Sequence, residues 1–196
     1  MRINQWFGAK FNELDPRLRA LHEHGGELSG RISVELGNGL GKLFGAALAK
    51  KLGIPTKAGL RSLKVKIFHD TDGMHWNRCF DEQTVMKSLF IPVGSLPNGY
   101  WIECTGSVRM ALTVDVIDGG WYWRCLSVSV RGMHIPTWLV PHTTAFKRIE
   151  DGQYRFYVGL SLPLIGIVLS YSGLLSAKLN AQPDGQQSVH STGIRG

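Results

Sequence analysis

From Leu60 to Ala177 apolar residues recur at nearly every second position, broken at intervals by short polar turns. This period-two run constrains the fold more than any other feature, because alternation puts one face of each strand in a core and the other in solvent. Candidate strands are 60–69, 74–81, 83–91, 102–117, 121–131, 153–162 and 167–177. The links carry turn chemistry: Asp70-Thr71-Asp72-Gly73, Pro97-Asn98-Gly99, Asp118-Gly119-Gly120 and Asp151-Gly152. Short links between successive strands imply an antiparallel meander. Leu28, Gly30, Ile32, Val34 and Leu36 alternate with polar residues and add an eighth strand.

Two segments break the alternation. Leu14, Leu18 and Leu21 recur at helical spacing, with Asn12 or Asp15 as N-cap and Pro16 in the first turn. Leu40, Leu43, Phe44, Ala47 and Leu48 follow the pattern i, i+3, i+4, i+7, i+8, and Gly53 and Pro55 close that helix. The expected fold is α+β: a strongly curved antiparallel sheet, or half-open barrel, of about eight strands with two helices on its N-terminal side. It would occupy residues 1–179 as one domain, with 180–196 a loose polar tail.

Residues 158–177 carry no charge and are long enough to span a bilayer. Pro163 and Gly166 interrupt them, however, and the apolar positions alternate on either side, so two strands and a turn fit better than one helix. Hydrophobic residues make up 43% of the 196, which excludes disorder as the dominant state. Three cysteines, Cys79, Cys104 and Cys125, form no C-x-x-C pair, and no apolar run of signal-peptide length opens the chain. Free thiols in a reducing cytoplasm are expected. The net charge of +7 is spread along the chain, so nucleic acid is not the expected partner. Lys42, Lys50 and Lys51 around the second helix offer a possible contact with an anionic membrane surface.

Chemistry-bearing motifs are sparse. His69-Asp70-Thr71-Asp72-Gly73-Met74-His75 holds metal-ligand types at close spacing, but Asp-Gly between strands reads first as a hairpin tip, and no metal is expected. Gly37-Asn38-Gly39-Leu40-Gly41-Lys42 lacks the length and the hydroxyl of a P-loop and completes no dinucleotide fingerprint, so no cofactor is expected. The one residue that conflicts with its surroundings is Arg78. In a regular strand it shares a face with Met74, Trp76 and Phe80, where a charge is costly unless paired or functional. Glu103 is a possible partner, although parity places it opposite Ile102 and Cys104 unless Gly106 introduces a bulge that flips the face.

The chain also resembles an uncharacterised family called domain of unknown function 4166. The resemblance rests on Leu14, Pro16 and His22, then on Trp76-Asn77-Arg78-Cys79-Phe80 and Pro136-Thr137-Trp138-Leu139-Val140-Pro141. It continues through Pro163-Leu164-Ile165-Gly166 and Tyr171-Ser172-Gly173-Leu174-Leu175. It implies a module sometimes attached to a saccharopine-dehydrogenase-like reductase domain, hence a possible reductase partner, and it implies no catalytic residues.

The expected function is a binding module for a lipid-like or hydrophobic acidic small molecule in an apolar cavity. Arg78 would anchor the acidic head, and Trp76, Phe80, Trp123 and Trp138 would form the walls. Trp138, held between two prolines, is expected to lie over one mouth of the sheet. The alternative is an enzyme or accessory domain using an acid/base group in that cavity, with Glu103 and His134 as nominees. A structural or interaction domain without ligand is the third reading.

Overall fold

The computed structural model of the protein describes residues 3–180. The chain opens with helix α1 (Ile3–Phe7), a 3-10 turn (Gly8–Glu13) and helix α2 (Pro16–His24). Strand β1 (Gly26–Leu36) follows, then helix α3 (Leu40–Leu52). The remainder is strand: β2 (Gly59–His69), β3 (Met74–Phe80), β4 (Thr84–Val93), β5 (Tyr100–Thr105), β6 (Val108–Ile117) and β7 (Gly120–Val130). Then come β8 (Met133–Ile135), β9 (His142–Glu150), β10 (Gln153–Leu162) and β11 (Gly166–Leu179).

Every pairing is antiparallel, and the sheet closes on itself. β1 through β7 pair in sequence, β7 pairs with β9, and β9, β10 and β11 lead back to β1. The result is a closed ten-stranded barrel with β8 outside it, hydrogen-bonded to β7 alone. The half-open sheet of eight strands is therefore corrected to a closed barrel. Gly106 and Ser107 divide the expected strand 102–117 into β5 and β6, and β8 and β9 carry too little alternation to announce themselves. Residues 158–177 form the facing halves of β10 and β11, as their periodicity requires. No helix among the described residues is long and apolar enough to cross a membrane.

The hairpins follow from turn chemistry. Asp118-Gly119, Arg131-Gly132 and Asp151-Gly152 each place two successive residues at positive φ, the two-residue turn whose twist matches flanking strands. At the β2–β3 tip the Asp70 carboxylate accepts from the Asp72 and Gly73 amides at 2.8 and 3.2 Å and holds His75 Nε2 at 2.7 Å. That imidazole keeps the Asp70 carboxyl below its ordinary value.

The N-terminal helices stopper one end of the barrel. Asp15 caps α2 by accepting from the Arg17 amide at 2.8 Å, and Pro16 occupies the first turn. The Asp15 amide donates to Gly119 O at 2.9 Å, Leu96 N–H donates to Trp6 O at 2.9 Å, and Trp6 Nε1 donates to Val93 O at 3.2 Å. Trp6, Phe7 and His22 are thereby buried against Trp101 and Trp121, and Leu18 and Leu21 are buried with them. Helix α3 packs on β11 towards the other end, where Gly37 N–H donates to Val168 O at 2.9 Å. The expected tail lies outside the described residues apart from Asn180, which donates from its side chain to His24 O at 3.1 Å.

Candidate functional site

Inside the barrel, about midway along it, lies a cavity of about 50 Å³. Its walls are mainly aromatic and aliphatic, from Trp76, Phe90, Trp123, Phe156 and Val65, and its polar members are Arg78, Lys147, Tyr154 and Tyr171. Strand parity brings Arg78 there: Met74, Trp76 and Phe80 of β3 are buried, and Arg78 is the fourth inward position. The guanidinium sits 5.3 Å from the Trp76 ring centroid and donates to Ser88 Oγ at 3.0 Å. Ser88 Oγ lies 2.7 Å from Thr105 Oγ1, which donates to Glu103 Oε1 at 3.4 Å. Thr105 has one hydroxyl proton and gives it to Glu103, so it can only accept from Ser88, and the hydroxyl protons of this relay run one way, from Ser88 to Thr105 to Glu103. Arg78 and Glu103 are thus linked through two hydroxyls rather than by direct contact.

Glu103 faces inward, 8% exposed. The two-residue hairpin at Gly106-Ser107 pairs Thr105 with Val108 and Glu103 with Met110, which puts Glu103 on the face of Val108 and Leu112. A turn, not a bulge, resets the parity.

A second polar feature was not foreseen from the sequence. Lys147 of β9 and His22 of α2 are both buried, with Lys147 Nζ 2.6 Å from His22 Nε2. His22 Nδ1 lies 2.7 Å from Leu18 O, an acceptor, so Nδ1 carries the proton. Nε2 is then the acceptor and Lys147 donates to it. The imidazole stacks on Trp121 at 4.6 Å. Lys147 Nζ stands 3.8, 4.5 and 5.2 Å from the ring centroids of Trp121, Trp76 and Trp123. Burial and the Lys147 charge hold His22 well below its ordinary value. Burial, then the Arg78 guanidinium, hold Lys147 well below its own, with Glu103 opposing. Tyr154 and Tyr171 are pushed up by burial and stay protonated.

The cavity therefore has a surplus of donors. Arg78 and Lys147 carry several N–H groups, the phenols add two O–H groups, and the buried Trp76 indole N–H has no acceptor among the described residues. Among the described residues, Glu103 is the one carboxylate joined to this network.

The remaining candidates lie elsewhere. Phe80 is fully buried but stands behind Tyr171, 6.1 Å away, rather than on the cavity surface. Trp123 lines the cavity, stacked on Phe90 at 5.7 Å. His134 is exposed on β8, outside the barrel. Trp138 is 74% exposed in a 3-10 turn, Thr137–Leu139, rather than laid over the apolar interior as expected. Among the described residues no group of three or more His, Cys, Asp or Glu is arranged to hold a metal ion.

Comparison with curated proteins gives no match. Against protein families, the model for a domain of unknown function, DUF4166, matches residues 14–175, a span that includes α2, both cations of the cavity, β1 to β10 and most of β11. The chain belongs to that family.

Proposed function

We propose that the barrel interior binds a small organic acid, its carboxylate on Arg78 and its apolar part against Trp76, Phe90 and Trp123. The surplus of buried donors over acceptors carries this reading, since an acceptor-rich anion satisfies groups that are otherwise costly to bury. Size narrows the ligand class. At about 10–15 Å³ per water, a 50 Å³ cavity takes a handful of heavy atoms, so a long acyl chain does not fit without widening the barrel.

The Lys147–His22 pair favours a second reading, in which the acid also carries a carbonyl. A neutral Lys147 amine attacks the carbonyl carbon through its lone pair, forming the C–N bond as the C=O π electrons move to oxygen. His22 Nε2, already the acceptor of a Lys147 N–H, takes the proton released by nitrogen and returns it to that oxygen. The nitrogen lone pair then forms the C=N bond as the hydroxyl leaves with the second nitrogen proton as water.

One titration addresses both. Butyrate, with butyramide as its neutral match, and pyruvate are added to the whole chain, and the unfolding midpoint is recorded. Butyrate and pyruvate are expected to raise it and butyramide is not; Arg78→Gln loses the effect and Arg78→Lys keeps part of it. Equal effects of butyrate and butyramide would discard the anion site. Borohydride added with pyruvate is expected to leave a reduced adduct on Lys147, found by peptide mass analysis. Binding without that adduct leaves the first reading and removes the second.

A further inference from the structure

Helix α3 is packed the wrong way round for a soluble domain. Its small residues Gly41, Gly45 and Ala49, four apart, lie buried on the sheet. A Cβ at Gly41 would stand 3.1 Å from Ile165 Cγ2, and one at Gly45 would collide with Val168 O. Leu48 and Leu52 pack on the core, but the large apolar residues of the first turns point outward: Leu40 is 65% exposed, Leu43 68% and Phe44 49%. Ile165, beside the buried Gly41, brings the β10–β11 tip next to the first turn of α3, and Leu164 of that tip is fully exposed. The β9–β10 pairing of His142 with Ser161 brings the loop of Trp138 to the same end of the barrel. Exposed apolar groups gathered at one end mark an interaction surface rather than scattered surface residues.

Charge decides what it meets. Lys42, Lys50 and Lys51 are exposed on α3, and no acid occurs between Gly37 and Phe68 or between Gly152 and Asn180. Asp81 and Glu82, at the same end, are engaged by Arg61 at 3.3 Å and Lys64 at 2.6 Å. A protein partner of matching shape would satisfy the apolar groups alone. One further acid lies beside α3: Glu35, exposed, accepts from the Ser33 and Ser170 hydroxyls, both at 3.4 Å, and the lysines of the helix outnumber it. Apolar side chains with a tryptophan and a surplus of flanking lysines match the layered chemistry of an anionic bilayer surface.

We propose that this end of the barrel docks on an anionic membrane surface, with Leu40, Leu43 and Phe44 of α3, the Leu164–Ile165 tip and Trp138 entering the headgroup layer. The lysines hold the anionic headgroups. Docking is independent of the interior cavity and does not rest on the ligand reading.

Co-sedimentation tests it with vesicles of phosphatidylcholine alone and of phosphatidylcholine mixed with phosphatidylserine. The whole chain is expected to pellet with the mixed vesicles about tenfold more strongly than with phosphatidylcholine, and less so in high salt. Leu43→Ser with Phe44→Ser, and separately Lys50→Glu with Lys51→Glu, each weaken it by about tenfold or more. These side chains are exposed, so the circular dichroism spectrum stays that of the wild type. Trp138 emission moves to the blue on mixed vesicles and is quenched by brominated lipid, and Trp138→Phe removes both signals. Failure of the wild type to pellet with mixed vesicles at low salt overturns the proposal, as does unchanged binding by the serine variant. A dimer in sedimentation velocity that Phe44→Ser converts to monomer makes the surface a self-interface and overturns it too.

Discussion

Lys147 and His22 are buried bases held below their ordinary values, and both push stability in the same direction. While the folded chain keeps them neutral, unfolding binds a proton at each, up to the ordinary values of 6.5 for His22 and 10.5 for Lys147. Unfolding is therefore opposed more strongly as pH rises, and the stabilisation is lost as pH falls through each window towards the folded pKa. Above pH 10 the unfolded chain ionises Tyr154 and Tyr171 while the folded chain does not, and the slope reverses. Urea unfolding is expected to show stability climbing from neutral pH to a maximum near 10. Where one proton separates the two states the slope is about 1.4 kcal/mol per pH unit. Lys147→Met removes the alkaline part of the climb; an unchanged profile would mean that Lys147 stays charged in its tryptophan cage. Arg78 could be read from sequence because its neighbours at two-residue spacing are large and apolar. Lys147 could not: Ala145 and Ile149 flank it inward while Phe146 faces out, so residues 142–150 show no clean alternation. His22 sat in a recognisable helix, but nothing local says that its ring reaches a lysine 125 residues away.

Helix α3 was legible as a helix and misleading as a surface. Its pattern of Leu40, Leu43, Phe44, Ala47 and Leu48 names an apolar stripe, and the ordinary inference is that the stripe faces the core. The competing stripe of Gly41, Gly45 and Ala49 has the same four-residue spacing, and it wins because only small side chains let the helix approach β11 this closely. Hydropathy cannot rank the two, since close approach is a matter of volume. Gly45→Ala is the decisive substitution. On propensity alone it would stabilise the helix by about 1 kcal/mol. The added methyl meets the Val168 carbonyl, backbone that cannot swing aside, so a net loss of about 1–3 kcal/mol is expected, read from the urea midpoint. A gain would show that α3 is free to lift off the sheet.

At the scale of the whole molecule, closure is what the sequence conceals. Alternation identifies strands one at a time; whether the first meets the last depends on twist summed round the sheet. Here β1 meets β11 over nine residue pairs, from Gly26 with Leu179 to Leu36 with Leu169. The joint between β7 and β9 has three, Trp121 with Lys147, Tyr122 with Phe146 and Trp123 with Ala145, because β8 and the Trp138 loop are interposed beyond it. Amide exchange should reflect the inequality. Amides of Lys147 and Trp121 are expected to exchange well before those of Ile32 and Tyr171, and equal protection would mean the barrel opens only as a unit.

A ring under thermal agitation breathes at its shortest link, and that link passes through the backbone of Lys147 itself. The amine walled off by three indoles thus hangs from the strand best able to swing away from its neighbour. Traffic into the barrel would need neither the stoppered end nor any unfolding of the rim, only the parting of three residue pairs, and the first interior group a visitor met on that path would be the lysine.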